Sequence, residues 1–307
     1  MSGLLQKYCF EITEDLEGER IDKCLALLID SLSRSFIQKM IKEGGVTVND
    51  AVIKGSYRVK PEDQVSFLLP PAEEPNIAAE NIPLDILYED SDVIVVNKPK
   101  GMVVHPAPGH YSGTLVNALM YHCGNELSGI NGCLRPGIVH RIDMDTTGSI
   151  IACKNDRSHN SIARQLKEHS ITRRYHAICH GVLHEDGTID RPVGRHPAER
   201  KKMAVNEKNG KHAVTHYHIL GHLGAYTYLE CVLETGRTHQ IRVHMASIGH
   251  PLLGDVLYAP GRKTPFPLQG QTLHAKILGF HHPSTNEYIE VDAPLPDYFK
   301  LLLNILS

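Results

Sequence analysis

Residues 70–83 read PPAEEPNIAAENIP, with four prolines, three glutamates and little apolar content. Proline fixes φ and removes a backbone donor, so such a run neither continues a helix nor sits inside a sheet. The composition predicts an extended, semi-stiff linker. It divides the chain of 307 residues into a small N-terminal unit and a much larger C-terminal one. In the first unit, Ile21, Leu25, Leu28 and Ile29 recur at helical spacing between Glu19 and Asp30. Ser33 offers an N-cap to a second helix with Phe36, Ile37, Met40 and Ile41 inward, and Gly44-Gly45 stops it. Val46-Thr47-Val48, a turn at Asn49-Asp50, Val52-Ile53 and Val65–Leu69 read as short strands. About 55 residues make a minimal domain, too small to enclose a deep pocket.

Beyond the linker the pattern changes. Strands are expected at Asp92–Asn97, Ser149–Cys153, Arg174–Cys179, Ala213–Ile219, Tyr226–Leu233 and Tyr288–Val291. Helices are expected at Thr114–Tyr121, Ser158–Glu168 and Gln240–Ile248. They interrupt the strands irregularly, with no repeating βα unit. The fold class is therefore α+β, with a central mixed or largely antiparallel sheet.

Composition excludes several alternatives. No apolar run approaches the roughly 18 residues of a membrane helix, and the N-terminus turns acidic without a signal core, so a cytoplasmic, membrane-free protein is expected. The seven cysteines are an odd number without a CxxC pair, which argues for reduced thiols. The pairs His216/His218 and His281/His282 have no acid or thiol at metal-ligand spacing, and no metal is expected. Net charge is −3, but residues 135–215 carry a local excess of +6 while residues 1–75 carry −4. Phosphate contacts act over about 10 Å, so the middle of the chain is the better candidate for an anionic polymer.

Chemistry-bearing residues concentrate in three segments. Val139–Gly148, VHRIDMDTTG, follows the turn Arg135-Pro136-Gly137 and precedes an apolar strand. A polar loop held by a rigid strand is where sites are commonly built. Asp143 and Asp145 could hold a divalent cation between them, or be a solvated turn. In Glu234–Met245, ETGRTHQIRVHM, Thr238 can cap a helix that carries Arg242 one turn in. Arginines flanking a helix start suit an anion or a buried carboxylate. In Arg173-Arg174-Tyr175, the tyrosine is either a core residue or a platform for a base.

The ordered blocks HRIDMDTTG, RRYHAICHG, GRTHQIRVHMASIGHPLLGD and LHAKILGFHHP resemble the motifs of the RluA/RluD family of pseudouridine synthases, from about Leu84 to near the C-terminus. Residues 18–69 resemble an S4 domain, a small α/β RNA-binding module. The resemblance implies a pseudouridine synthase fold over 84–303, joined by the linker to the S4 domain. It implies an isomerase that converts uridine to pseudouridine without a cofactor, and structured RNA as partner. An S4 domain ahead of the catalytic one points to large-subunit ribosomal RNA, with transfer RNA the alternative. A non-catalytic RNA-binding protein of the same fold is the further rival. By the same resemblance Asp143 is the catalytic residue and Arg242 its partner. Tyr175 packs on the target base, and Arg141 helps hold the flipped nucleotide's place in the RNA. Ile142 and Thr147 depart mildly from the family's leucine and serine. Arg34, Lys39 and Lys42 on the second helix, with Arg173 and Arg174, are expected to bind RNA. A monomer is the default.

Overall fold

The computed structural model describes residues 6–29, 32–69, 77–107, 109–132, 135–199, 202–262, 264 and 267–307. Residues 70–76 of the expected linker, with Asp30 and Cys133, lie outside the described residues. The chain forms two compact units, Met1–Glu74 and Pro75–Ser307.

The first unit packs α1 (Ile21–Leu28) and α2 (Arg34–Lys42) on a sheet of β1 (Gln6–Glu11), β2 (Val46–Val48), β3 (Ala51–Val52) and β4 (Gln64–Leu69). All its pairings are antiparallel, in the order β1-β4-β2-β3. The Ser33 hydroxyl accepts from Phe36 N at 3.3 Å and so starts α2. Asn49 and Asp50 have φ of +49° and +62°, the geometry a two-residue hairpin turn requires. Ile21, Leu25, Ile37, Ile41 and Phe67 are fully or almost fully buried and join both helices to the sheet. Strand β1 is not apparent from the sequence. QKYCFE half-buries its apolar members and gains its place only by pairing along the whole of β4.

The second unit is built on a nine-stranded sheet. Its strands are β5 (Ile86–Glu89), β6 (Val93–Lys98), β7 (Thr147–Cys153), β8 (Thr172–His180), β9 (Gly187–Asp190), β12 (Val214–Leu223), β13 (Tyr226–Leu233), β14 (Leu273–His281) and β15 (Tyr288–Asp292). A separate hairpin joins β10 (Val193–Arg195) to β11 (Met203–Val205). The helices are α3 (Leu115–Cys123), α4 (Asp156–Lys167), α5 (Gln240–Ser247) and α6 (Asp297–Leu306). The order is β5-β6-β7-β14-β8-β13-β12-β9, with β15 on β14. Every pairing is antiparallel except β7 with β14. The unit is α+β with a mixed sheet.

Close contacts fix the start of β7 and the stretch ahead of β5. At the parallel contact Gly148 has φ of +106°, and a Cβ there would stand 2.3 Å from the Ala275 carbonyl oxygen. Only glycine lets β14 approach the start of β7 so closely. Residues 77–80, expected as part of the extended linker, instead lie against α3. Ile77 is buried in the main core, Asn117 Nδ2 donates to Ala78 O at 2.7 Å, and Glu80 N donates to Asn117 O. The isoleucine and the capping asparagine of α3 hold this stretch in place.

Candidate active site

The segment before β7 is tied to the free side of that strand. Cys153 N donates to Gly137 O, and Ile138 bridges Ala152. Where the two backbones part, the His140 ring takes over, its Nε2 accepting from Ile151 N at 3.1 Å. Burial, with Arg173 nearby, pushes the His140 pKa down to about 3, so it accepts as a neutral ring.

Asp143 then opens a turn closed by Thr146 N donating to Asp143 O. Lys98, fully buried at the end of β6, clamps the turn. Its ammonium donates to the carbonyls of Pro99, Met102 and Met144 at 2.8–2.9 Å. Burial pulls the Lys98 pKa to about 7, with Asp145 and Asp143 acting in the opposite direction. Gln271 Nε2 donates to the Thr146 hydroxyl, and Thr147 pairs with the His274 ring.

Asp143 faces a cavity of about 420 Å³ lined also by Arg141, Arg173, Tyr175, His239 and Arg242. Arg242 Nη1 donates to Asp143 Oδ2 at 2.8 Å. The rest of that guanidinium is bound in bidentate fashion by fully buried Asp255, at 2.7 and 3.0 Å. Asp255 Oδ1 also accepts from Leu257 N and Tyr258 N. Burial works against the Arg242 charge, but the Asp255 hydrogen bonds and the Asp143 charge outweigh it and hold its pKa above the ordinary arginine value. The Tyr258 ring lies 5.1 Å from the guanidinium carbon.

His239 precedes α5 with φ of +57° and is the residue from which the helix starts. Thr238, expected to cap it, does not occupy the N-cap position, and His239, which does, makes no side-chain cap. The left-handed backbone at His239 turns its ring toward the site instead. Nε2 stands 3.7 Å from Asp143 Oδ1, and Nδ1 meets the Tyr258 hydroxyl at 2.9 Å. Met203 N donates to the same phenol oxygen. The phenol proton is then available to Nδ1, leaving Nε2–H toward Asp143. Burial lowers the His239 pKa, against the pull of Asp143, which favours the neutral ring.

Tyr175 sits on β8, 8% exposed, between Asp143 and Arg173 in charge environment, and burial raises its phenol pKa. Arg173 is buried on the same face and donates to Glu234 O at 2.9 Å. Arg174 projects from the opposite face, exposed, and does not line the cavity. Arg141 is exposed at the rim. Arg34, Lys39 and Lys42 belong to the first unit. Arg34 is engaged with Asp22 at 2.9 Å, Lys39 stands 3.8 Å from Glu43, and Lys42 is exposed. Among the described residues no group of three or more His, Cys, Asp or Glu could hold a metal ion. His216, His218 and His282 are paired instead with Glu234, Asp186 and Asp90.

Residues 92–247 match the RNA pseudouridylate synthase family, and residues 19–65 match the S4 domain. The chain belongs to the RNA pseudouridine synthases. It is 52% identical to an uncharacterised RNA pseudouridine synthase of Bacillus subtilis, over 95% of this chain and 96% of that one. It is 45% identical to the ribosomal large subunit pseudouridine synthase D of Zymomonas mobilis, over 96% of each chain. The structure of human RNA pseudouridylate synthase domain containing 1 superposes with a TM-score of 0.58 at 27% identity, covering 73% of this chain and 89% of that one. In this synthase, sequence patterning does not single out Lys98, Asp255 or Tyr258. His239 and Asp255 do fall inside the block GRTHQIRVHMASIGHPLLGD. Asp255 closes that block 13 residues after Arg242, and this ordering is the one signal that could have found it.

Proposed function

We propose that this synthase isomerises specific uridines of large-subunit ribosomal RNA to pseudouridine, with Asp143 as its catalytic carboxylate and no cofactor. The observation that carries the reading is the division of Asp143's two oxygens. Oδ2 is held by Arg242, while Oδ1 accepts no hydrogen bond among the described residues and has His239 Nε2 at 3.7 Å. The reaction breaks N1–C1′, turns the uracil and forms C5–C1′; the C5 proton is lost and N1 regains one. Nothing is oxidised or hydrolysed, so the chemistry calls for neither metal nor nicotinamide nor nucleotide. Addition of the carboxylate to C1′ and removal of a ribose proton both begin at a free, anionic oxygen such as Oδ1.

The target base must leave its stack, which costs a few kcal/mol. Tyr175 offers a ring against it, and the exposed Arg141 can fill the vacated space. The S4 module at 18–69 serves as an RNA grip, and the domain over 84–303 does the chemistry. The name of the Zymomonas relative supports the ribosomal assignment.

The test is to map pseudouridines in large-subunit ribosomal RNA from cells lacking this chain, then restore wild type or Asp143→Asn. Specific sites should vanish, return with the wild type and stay absent with Asp143→Asn, a loss of at least about 10³-fold in rate by the logic of removing a reacting group. Sites that return with Asp143→Asn would refute the role of Asp143. An unchanged ribosomal map would refute the substrate.

A further inference from the structure

A second cavity of about 440 Å³ shares the wall Val139–Arg141 with the catalytic one. His105, Asn131, Arg135 and Ile138 complete it, and among the described residues no acid lines it. Arg135 and Arg141 are both exposed, and among the described residues neither guanidinium has a hydrogen bond or ion pair. Two unpaired guanidiniums facing one acid-free cavity make an unbalanced positive site. His105 is 8% exposed, and its Nδ1 is buried without a hydrogen-bond partner among the described residues. A buried ring nitrogen left unsatisfied is unfavourable unless something completes its surroundings.

We propose that this cavity binds a backbone phosphate of a nucleotide flanking the target uridine, with Arg135 as its principal ligand and Arg141 shared with the catalytic cavity. The inference rests on the reading that the substrate is RNA and adds a subsite to it. Phosphate fits because guanidinium and phosphate are matched in charge and fork geometry. Burial and the two arginines together hold the His105 pKa below its ordinary value, which favours the neutral ring. Distance selects the nucleotide. Arg141 lies two residues from Asp143, at most about 7 Å along the chain, so the phosphates within reach are those next to the reacting sugar. A phosphate held there fixes register, as backbone contacts do in general, while Asp143 and Tyr175 act on the base and ribose.

The experiment uses the full chain and a synthetic copy of the RNA segment around a mapped target uridine. One methylphosphonate, which removes a single phosphate charge, is placed in turn at each linkage on either side of that uridine. Wild type should lose about tenfold in affinity at one adjacent linkage, the scale of one charged hydrogen-bonded contact. Arg135→Gln should bind unmodified RNA about tenfold more weakly, with a salt slope lower by about 0.7–0.9. It should lose nothing further at that same linkage, yet keep its sensitivity elsewhere. Arg135 is exposed, so its variant should fold; Arg135→Lys, which keeps the charge but not the fork, should restore the salt slope and only part of the affinity. Wild-type binding by Arg135→Gln, or a variant still sensitive at every linkage, would overturn the proposal. If mapping places the target in another RNA, the ribosomal assignment fails and this test runs unchanged on that RNA.

Discussion

Both units bury an aspartate against arginine, and they complete it differently. In the S4 unit Asp22 is fully buried and both oxygens are occupied. Arg20 reaches Oδ1 at 3.0 Å, while Arg34 and Gln38 reach Oδ2 at 2.9 and 2.5 Å. Burial opposes the charge, but those hydrogen bonds hold the Asp22 pKa far below the usual carboxylate value. In the synthase domain Asp255 is just as buried and closed around Arg242, and the leftover Nη1 of that arginine reaches Asp143. Asp143 keeps 23% of its side chain exposed. A carboxylate with both oxygens engaged holds a fold together. One with an open oxygen, fixed by a neighbour that is itself fixed, can react.

Arg242→Met should break this difference most severely. It leaves Asp255 buried without a cation, a loss of about 3–5 kcal/mol, and it releases Asp143, so turnover should disappear. Arg34→Met leaves Arg20 and Gln38 on Asp22 and should cost about 1–2 kcal/mol. Hydrogen exchange read separately for the two units, in denaturant, measures both. Equal losses would show that the two carboxylates are not held differently.

Mild acid should separate the units without any mutation. All 20 histidines lie between residues 105 and 282, and the S4 unit has none. Burial, first among the causes, lowers His140 to about 3 and His176 and His274 to about 4. These folded values lie below the unfolded one, about 6.5. The unfolded chain therefore takes up protons first as pH falls, and stability drops between pH 6.5 and 4. At pH 5 the loss is roughly 2 kcal/mol for each of the three. Asp22 has the opposite timing. Its contribution is intact above pH ~3.8 and fades only as pH drops toward its lower folded value. Exchange rates in the synthase domain should rise from pH 7 to 5 while those of the S4 unit, corrected for intrinsic chemistry, hold. Parallel loss in both units would refute the assignment to buried histidines.

How far the sequence discloses this arrangement depends on how local each piece is. Helices α1 and α2 and the Asn49-Asp50 turn follow from spacing and turn chemistry within ten residues. Asp143 and Arg242 are visible through the order of their blocks, though 99 residues separate them. Asp255 and Lys98 are not, because their roles exist only after tertiary contact: one neutralises an arginine, the other orders three carbonyls around a turn. Strand β1 and the docked stretch 77–80 are hidden for the same reason, since short, weakly patterned segments take their conformation from the surface they meet. The Thr238 cap fails as a local prediction because left-handed His239 takes the N-cap position and makes no side-chain cap. It does so at the point where the ring must turn toward Asp143, and departures from local preference gather at functional sites.

The smallest expected effect concerns the cations of the S4 helix, and it sharpens the distinction between engaged and free charge. Arg34 and Lys42 both sit on α2, and charge alone makes them equivalent candidates for phosphate contact. Arg34 is engaged with Asp22, whereas the Lys42 ammonium has no hydrogen bond or ion pair among the described residues. Lys42→Ala should therefore lower RNA affinity a few-fold and reduce the salt slope by about 0.7–0.9, one phosphate contact, with stability unchanged within about 0.5 kcal/mol. Lys39→Ala should follow it more weakly, since Glu43 at 3.8 Å already offsets part of that charge. Arg34→Met should do the reverse, losing stability while nearly keeping the wild-type slope. Binding of each variant to the same RNA from low to moderate salt, beside its denaturation midpoint, gives both quantities. If Arg34→Met and Lys42→Ala flatten the slope equally, Arg34 reaches the RNA despite Asp22, and its carboxylate contact is not the closed structural pair inferred from the geometry.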